Sequence, residues 1–238
     1  MSRGDAPIRV LVRYFASAAD AAGVREETVE LTSGTTVGAA CAQVSAQRPR
    51  LQELIRRCRV ARNDDFADDT ELLCDGDELC VLPPVSGGAG APAASPTRQT
   101  ASRVVLADRH IRIGEACDEL DRDGAGGVVT FTGVARRNNR GQKVHHLDFE
   151  AHTGLAVKEL GRIIAEAIER FGLIDARVLH RLGRCAIGEV AVDIAVSGAH
   201  RAEAFAGCQY VIDELKKRAP IWKRETTEDG ASWLEPTP

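Results

Sequence analysis

The chain has 238 residues, 44% hydrophobic and 28% charged, a globular composition that excludes wholesale disorder and fibrous repeats and leaves room for one large domain or two small ones. Its net charge of −4 supplies no bulk basic field to hold nucleic acid or an anionic membrane. No apolar run approaches the roughly 18 residues of a spanning helix, and Arg9 and Arg13 interrupt any signal-peptide core, so the sequence predicts a soluble, cytoplasmic protein.

Residues 8–15 alternate apolar and charged side chains like a half-buried strand, and 27–31 give a second. Thr35-Thr36 precedes an expected helix from Val37 to about Gln47, stopped by Pro49. Val60–Asn63 and Glu78–Leu82 read as later strands separated by Asp- and Gly-rich turns. Strand, hairpin, helix and strands in under 90 residues, ending in Gly87-Gly88, form a β-grasp pattern. Two glycines lack Cβ atoms, so such an end can thread a narrow channel and present a carboxyl group elsewhere; a plain linker start is the alternative.

The stretch 89–102, AGAPAASPTRQTAS, holds twelve Ala, Gly, Pro, Ser or Thr residues in fourteen and reads as a flexible linker. The expected domains are therefore 1–88, acidic and free of lysine, and 103–238, nearly balanced in charge. The second opens with a strand near 104–106 and a short helix near 114–120, followed by an apolar strand at 128–134. A loop, residues 136–143, then carries four positive charges and no negative one. A strand at 147–151, a helix at about 155–171, strands at 177–182 and 190–196, and a helix from about 201 to 218 ended by Pro220 complete an α+β pattern.

Positive charge is written as arginine 26 times and as lysine five times, yet Lys216, Lys217 and Lys223 fall within eight residues. An ammonium can shift its pKa and exchange protons where a guanidinium cannot. On a helical wheel Phe205, Cys208, Ile212 and Leu215 share one face, which puts Lys216 about 20° from Phe205 at the apolar edge and Lys217 on the solvated side. Lys216 is the candidate for a partly desolvated lysine with a lowered pKa; plain snorkelling is the alternative. Residues 197–201, SGAHR, sit at a strand-to-helix turn, where exposed N–H groups with His200 and Arg201 suit a phosphate. Three cationic segments, 136–143, 197–201 and 216–224, fit either one anion pocket or three unrelated solvated loops. The seven cysteines are scattered and never spaced C-x-x-C, and the histidines lack metal-ligand spacing, so no metal or cofactor is expected.

Residues 8–88, with RYFASAAD near the start and LPPVSGG at the end, resemble the small, ubiquitin-like sulfur-carrier subunit of molybdopterin synthase. From about Val104 to Glu235 the chain resembles the large catalytic subunit, through VVTFTGVAR (128–136), VHHLDFEAH (144–152), SGAHR (197–201) and above all LKKRAPIWKRE (215–225). The pattern is that of a fusion of both subunits. The resemblance implies a ubiquitin-like β-grasp domain linked to an α/β-hammerhead-type catalytic domain. It implies that a terminal-glycine thiocarboxylate, here on Gly88, enters a pocket and delivers sulfur to cyclic pyranopterin monophosphate, giving the dithiolene of molybdopterin.

Carried over by motif, Lys216 is the central catalytic lysine with Lys223 beside it, and Arg136, His200, Arg201, Arg224 and Glu225 belong to the substrate and anion site. Implied partners are an adenylyltransferase that loads sulfur and a second copy of the catalytic domain in a homodimer. Arg137 stands where the family commonly has Asn, Val134 where a polar residue is common, and His152 where tyrosine is common. Ala89 follows Gly88, so the carrier carboxyl is tied up in a peptide bond, and a processing peptidase is expected. A non-catalytic scaffold in a sulfur-transfer pathway is the competing reading.

Overall fold

The computed structural model describes residues 6–46, 48–85, 103–139 and 141–234, which fall into two compact units divided after Pro84. The expectations placed on Gly87, Gly88, the 89–102 linker and Arg140 lie outside the described residues.

The first unit runs β1 (Ile8–Tyr14), α1 (Ala16–Ala22), β2 (Glu26–Leu31), α2 (Val37–Ser45), α3 (Pro49–Ile55), β3 (Arg59–Arg62), β4 (Asp65–Phe66) and β5 (Glu78–Leu82). Its sheet is ordered β2-β1-β5-β3-β4, with β1 antiparallel to β2 and parallel to β5. That central parallel pair, with helices over one face, is a β-grasp. Val10, Val12 and Tyr14 of β1 alternate inward onto Val37, Leu51 and Leu79, and Arg9, Leu11 and Arg13 lie on the other face.

Two differences from the sequence reading have local causes. Pro49 does not end a helix region but occupies the first turn of α3, where its missing N–H costs nothing. The α1 segment, ASAADAA, has no large apolar side chain to set a helical period, so the sequence reading did not pick it out.

The second unit runs β6 (Val104–Ala107), a 3-10 turn (Glu115–Cys117), β7 (Gly127–Val134), β8 (Asn138–Asn139), β9 (Gln142–Ala151) and α4 (Thr153–Phe171). It continues with β10 (Leu173–Arg181), β11 (Gly183–Ala186), β12 (Val190–Gly198), α5 (Arg201–Arg218), β13 (Ile221–Thr227) and β14 (Gly230–Trp233). One sheet is ordered β6-β10-β12-β7, and a second is ordered β11-β9-β13-β14 with β8 joined to β9.

All nine residues of β12 are buried, because α4 and α5 cover one face of the first sheet and the segment with the 3-10 turn covers the other. The buried Asp193 carboxylate ties that segment down, accepting from the N–H groups of Gly114 (3.2 Å) and Ala116 (2.8 Å) and from Thr132 Oγ1 (2.6 Å). Strands β11, β13 and β14 were not legible in the sequence; β11 and β13 are built on pairing with β9, and β14 on pairing with β13. Among the described residues no helix is long and apolar enough to cross a membrane.

Candidate active site

The C-terminal end of α5 and strand β13 build one wall of a cavity of about 260 Å3 in the second unit. Phe131 of β7, Phe149 of β9, and Ile212 and Leu215 of α5 give it apolar walls, and both Lys216 and Lys223 line it. The face of α5 that is buried comprises Ala204, Gly207, Cys208, Val211, Ile212, Leu215 and Arg218. Phe205 is 62% exposed, so it does not anchor the apolar stripe as the helical wheel suggested. The stripe is centred instead on Val211 and Leu215, and Lys216 falls about 40° beyond Ile212 at its edge. Lys216 is exposed but reaches the cavity, whereas Lys217 points away and pairs with Glu214 at 3.0 Å.

The end of α5 is held from below. Arg218 donates to Glu159 (2.7 Å) and Glu166 (2.9 Å) of α4, and Arg162 also reaches Glu159 (3.2 Å). Arg218 and Glu159 are both buried. Beyond them, Ala219-Pro220 breaks the helix and β13 leaves in register with β9, which sets Lys223 opposite Phe149.

Along β13 the side chains alternate, so Lys223 and Glu225 share a face. The buried Glu225 carboxylate accepts from Asn139 Nδ2 at 2.9 and 3.1 Å and lies 3.8 Å from Lys223 Nζ. Arg136 in turn donates to Asn139 Oδ1 at 2.9 Å. The cationic 136–143 loop and the 216–225 segment thus meet, through Asn139. Sequence reading did not single out Asn139; one Asn among several in a polar loop carried no signal. Burial pushes the Lys223 pKa down, reinforced by the positive charges of Arg136 and Lys216 and opposed by Glu225. Lys223, on β13, is thus a lysine whose pKa burial lowers.

Two expected site elements stand apart within one chain. Alternation turns Arg224 to the opposite face of β13, where its guanidinium lies 5.9 Å from the Trp233 ring centroid. His200 and Arg201 are exposed at the start of α5, about 22 Å along the helix axis from Lys216. Their turn is packed against the start of β7: a Cβ on Gly126 would lie 2.2 Å from the Ala199 carbonyl oxygen, so only glycine fits there. His152 caps α4, its Nδ1 accepting from Leu155 N–H at 3.2 Å.

His180 lies on β10. It is buried, and it lines the same cavity as the two lysines. An isolated histidine in a strand gives no spacing pattern by which sequence alone could place it.

Fold and site together define a two-unit protein, a β-grasp unit followed in the same chain by an α/β unit with paired lysines over an apolar cavity. The MoaE protein family model matches residues 106–218, and the ThiS family model matches residues 12–88. The molybdopterin synthase catalytic subunit of Pyrococcus abyssi is 44% identical over 123 residues, covering 52% of this chain and 83% of that protein. Its Escherichia coli counterpart is 40% identical over 135 residues, covering 56% and 90%. A solved structure of molybdopterin synthase from Staphylococcus aureus superimposes with a TM-score of 0.51 at 34% identity, covering 56% of this chain and 95% of that one. The chain belongs to the molybdopterin synthase catalytic subunit family, with a ThiS-family β-grasp domain fused ahead of it, and acts as a transferase in molybdenum cofactor biosynthesis.

Proposed function

We propose that the second unit is a sulfurtransferase that moves sulfur from the thiocarboxylate of a C-terminal glycine to cyclic pyranopterin monophosphate, in the cytoplasm. The observation that carries this reading is the pair Lys216 and Lys223 on one apolar cavity, with Glu225, Asn139 and Arg136 behind Lys223. An apolar cavity lined by two lysines suits the thin end of a glycine-terminated chain bearing an anionic thiocarboxylate.

In each delivery the thiocarboxylate sulfur bonds to a substrate carbon as an oxygen leaving group departs from it, and water then cleaves the acyl–sulfur bond, leaving sulfur on the substrate and the glycine as a carboxylate. Lys216 steadies the anionic sulfur end. Lys223, with its pKa lowered by burial, gives up its proton more readily than an exposed lysine, and its amine form takes up a proton at this step. Arg136 supplies positive charge for the substrate phosphate.

His200 and Arg201 can serve the same substrate only from a second copy of the chain, since one copy holds them about 22 Å from Lys216. A homodimer through the second unit is therefore part of the proposal. For the fused carrier to be loaded, an adenylyltransferase needs a free carboxylate on Gly88, and the intact chain has an amide there. Hydrolysis after Gly88 is the step that makes the first unit a carrier. The domain division that follows is 1–88, 89–102 and 103–238.

The test is conversion of cyclic pyranopterin monophosphate to molybdopterin with preformed thiocarboxylated carrier. Lys216→Ala is expected to abolish it and Lys217→Ala to leave it nearly intact; equal losses overturn the site. A scaffold would tolerate both. Intact mass should show a fragment ending at Gly88 that gains the oxygen-to-sulfur difference on loading. Molybdopterin made by a Gly88→Pro variant with no other carrier present would refute the processing step.

A further inference from the structure

The cavity contains one neutral polar side chain that the reaction scheme above does not use. His180 lies on β10 with 5% of its surface exposed, and it lines the cavity with Lys216 and Lys223. Its Nδ1 lies 2.8 Å from the carbonyl oxygen of Arg181. A carbonyl can only accept, so Nδ1 carries the proton and Nε2 is left as a bare acceptor. Burial lowers the pKa of the ring to about 4, so the imidazole is neutral under ordinary conditions. Phe149 packs edge-on, with ring centroids 5.0 Å apart and planes at 83°, which fixes the ring's orientation. Lys223 is the cross-strand partner of that same Phe149. The ring is therefore held in one tautomer and one plane, and among the described residues its hydrogen bonding uses Nδ1 alone.

We propose that Nε2 of His180 accepts the N–H of the last peptide group of the glycine-ended acyl donor, and so determines which chain end the cavity takes and which way round it lies. The inference rests on the assignment of the cavity to that donor. A bare imidazole lone pair repels a carboxylate or thiocarboxylate and offers nothing to a carbonyl, so it selects an N–H. The anionic end is then turned toward Lys216. One neutral acceptor and a cation match the needs of a terminal glycine, which has one N–H and one anionic group. A pterin ring presents several donors and acceptors along its edge, and walls made of Phe131, Leu147, Phe149 and Ile221 would leave most of them unpaired. Among neutral chain ends, one lacking the N–H would cover Nε2 and leave it without a partner, which is the larger part of the discrimination.

The experiment uses the full-length, unprocessed chain and the synthetic peptide Leu-Pro-Pro-Val-Ser-Gly-Gly with a free carboxylate, whose sequence is that of residues 82–88. A second peptide carries glycolic acid in place of the last glycine, so that an ester oxygen replaces the N–H without adding bulk. Calorimetric titration should show the ester peptide binding about tenfold or more weakly than the amide peptide, the loss expected for one buried hydrogen bond. His180→Phe, which keeps the ring's shape against Phe149 and removes the acceptor, should weaken the amide peptide by a similar factor and leave the ester peptide unaffected. A cycle in which the two losses instead add overturns the proposal, as does equal binding of the two peptides to the unmodified protein. The comparison of the peptides on the unmodified protein decides the matter alone if His180→Phe does not fold. Ala191→Trp, which fills the cavity, separates the two levels of inference. Binding of the amide peptide that survives it, or no binding of that peptide to the unmodified protein, refutes the assignment of the cavity to the acyl donor. Loss on filling, with no difference between amide and ester, refutes only the role of His180.

Discussion

Replacing Glu225 by glutamine removes a charge while keeping the shape and leaving an oxygen for Asn139 Nδ2. Glu225 lies 3.8 Å from Lys223 Nζ and favours the ammonium form, against the larger effect of burial. At that distance Coulomb's law gives about 1 kcal/mol in water and about 4 kcal/mol at an effective dielectric of ~20. The Lys223 side chain is 33% exposed and the Glu225 side chain 10%, so the solvent-screened value is about 1–2 kcal/mol. Each 1.36 kcal/mol is about one pH unit.

If the neutral amine of Lys223 takes up the proton, activity rises with pH as Lys223 loses its own. Without Glu225 the ammonium is less favoured, the amine forms at lower pH, and the rising limb moves about one unit toward acid. The other charges facing Lys223 are Arg136 and Lys216, and both already lower its pKa. His180 titrates near pH 4 and stays out of the window. The assay is the pH dependence of single-turnover molybdopterin formation, with thiocarboxylated carrier in excess. A limb that stays in place, or moves toward alkaline pH, refutes the assignment of the proton to Lys223.

Arg218→Met should destabilise the second unit by about 3 kcal/mol, near the lower end for breaking a buried ion pair, since Glu159 keeps Arg162 at 3.2 Å and Glu166 keeps the Tyr210 hydroxyl at 2.8 Å. Both tryptophans, Trp222 and Trp233, lie in that unit, so fluorescence during urea unfolding reads it alone. Arg218 holds the Glu166 pKa down, so that part of the stabilisation is present above the ordinary carboxylate pKa and fades as pH falls through the lowered one. The gap between the variant and the unmodified protein should narrow in acid, and a loss below about 1 kcal/mol at neutral pH would contradict the network's role. Removing His200 or Arg201 should weaken substrate binding more than it slows single turnover of the bound complex; unchanged affinity would count against their hold on a phosphate.

Much of the architecture was written locally. Alternation in β1 and the apolar runs of β7 and β12 marked strands, and the 3–4 spacing from Val157 to Phe171 marked α4. The LKKRAPIWKRE run placed both lysines on the segment that lines the cavity.

What sequence could not supply depends on partners far along the chain. Strands β11, β13 and β14 exist because β9 and its neighbours offer them hydrogen bonds, and a short polar strand has no period of its own to announce it. Alternation along β13 separates Arg224 from Lys223 and Glu225, which a motif read as a run of letters leaves together. The wheel drew a face through Phe205 because phenylalanine is apolar, but the sheet against which α5 packs selects Val211 and Leu215 and leaves Phe205 outside. Lowering a pKa requires removing water from the group, and which lysine loses it is decided by what packs around it. Here β9, with Phe149 opposite Lys223, supplies that packing on β13.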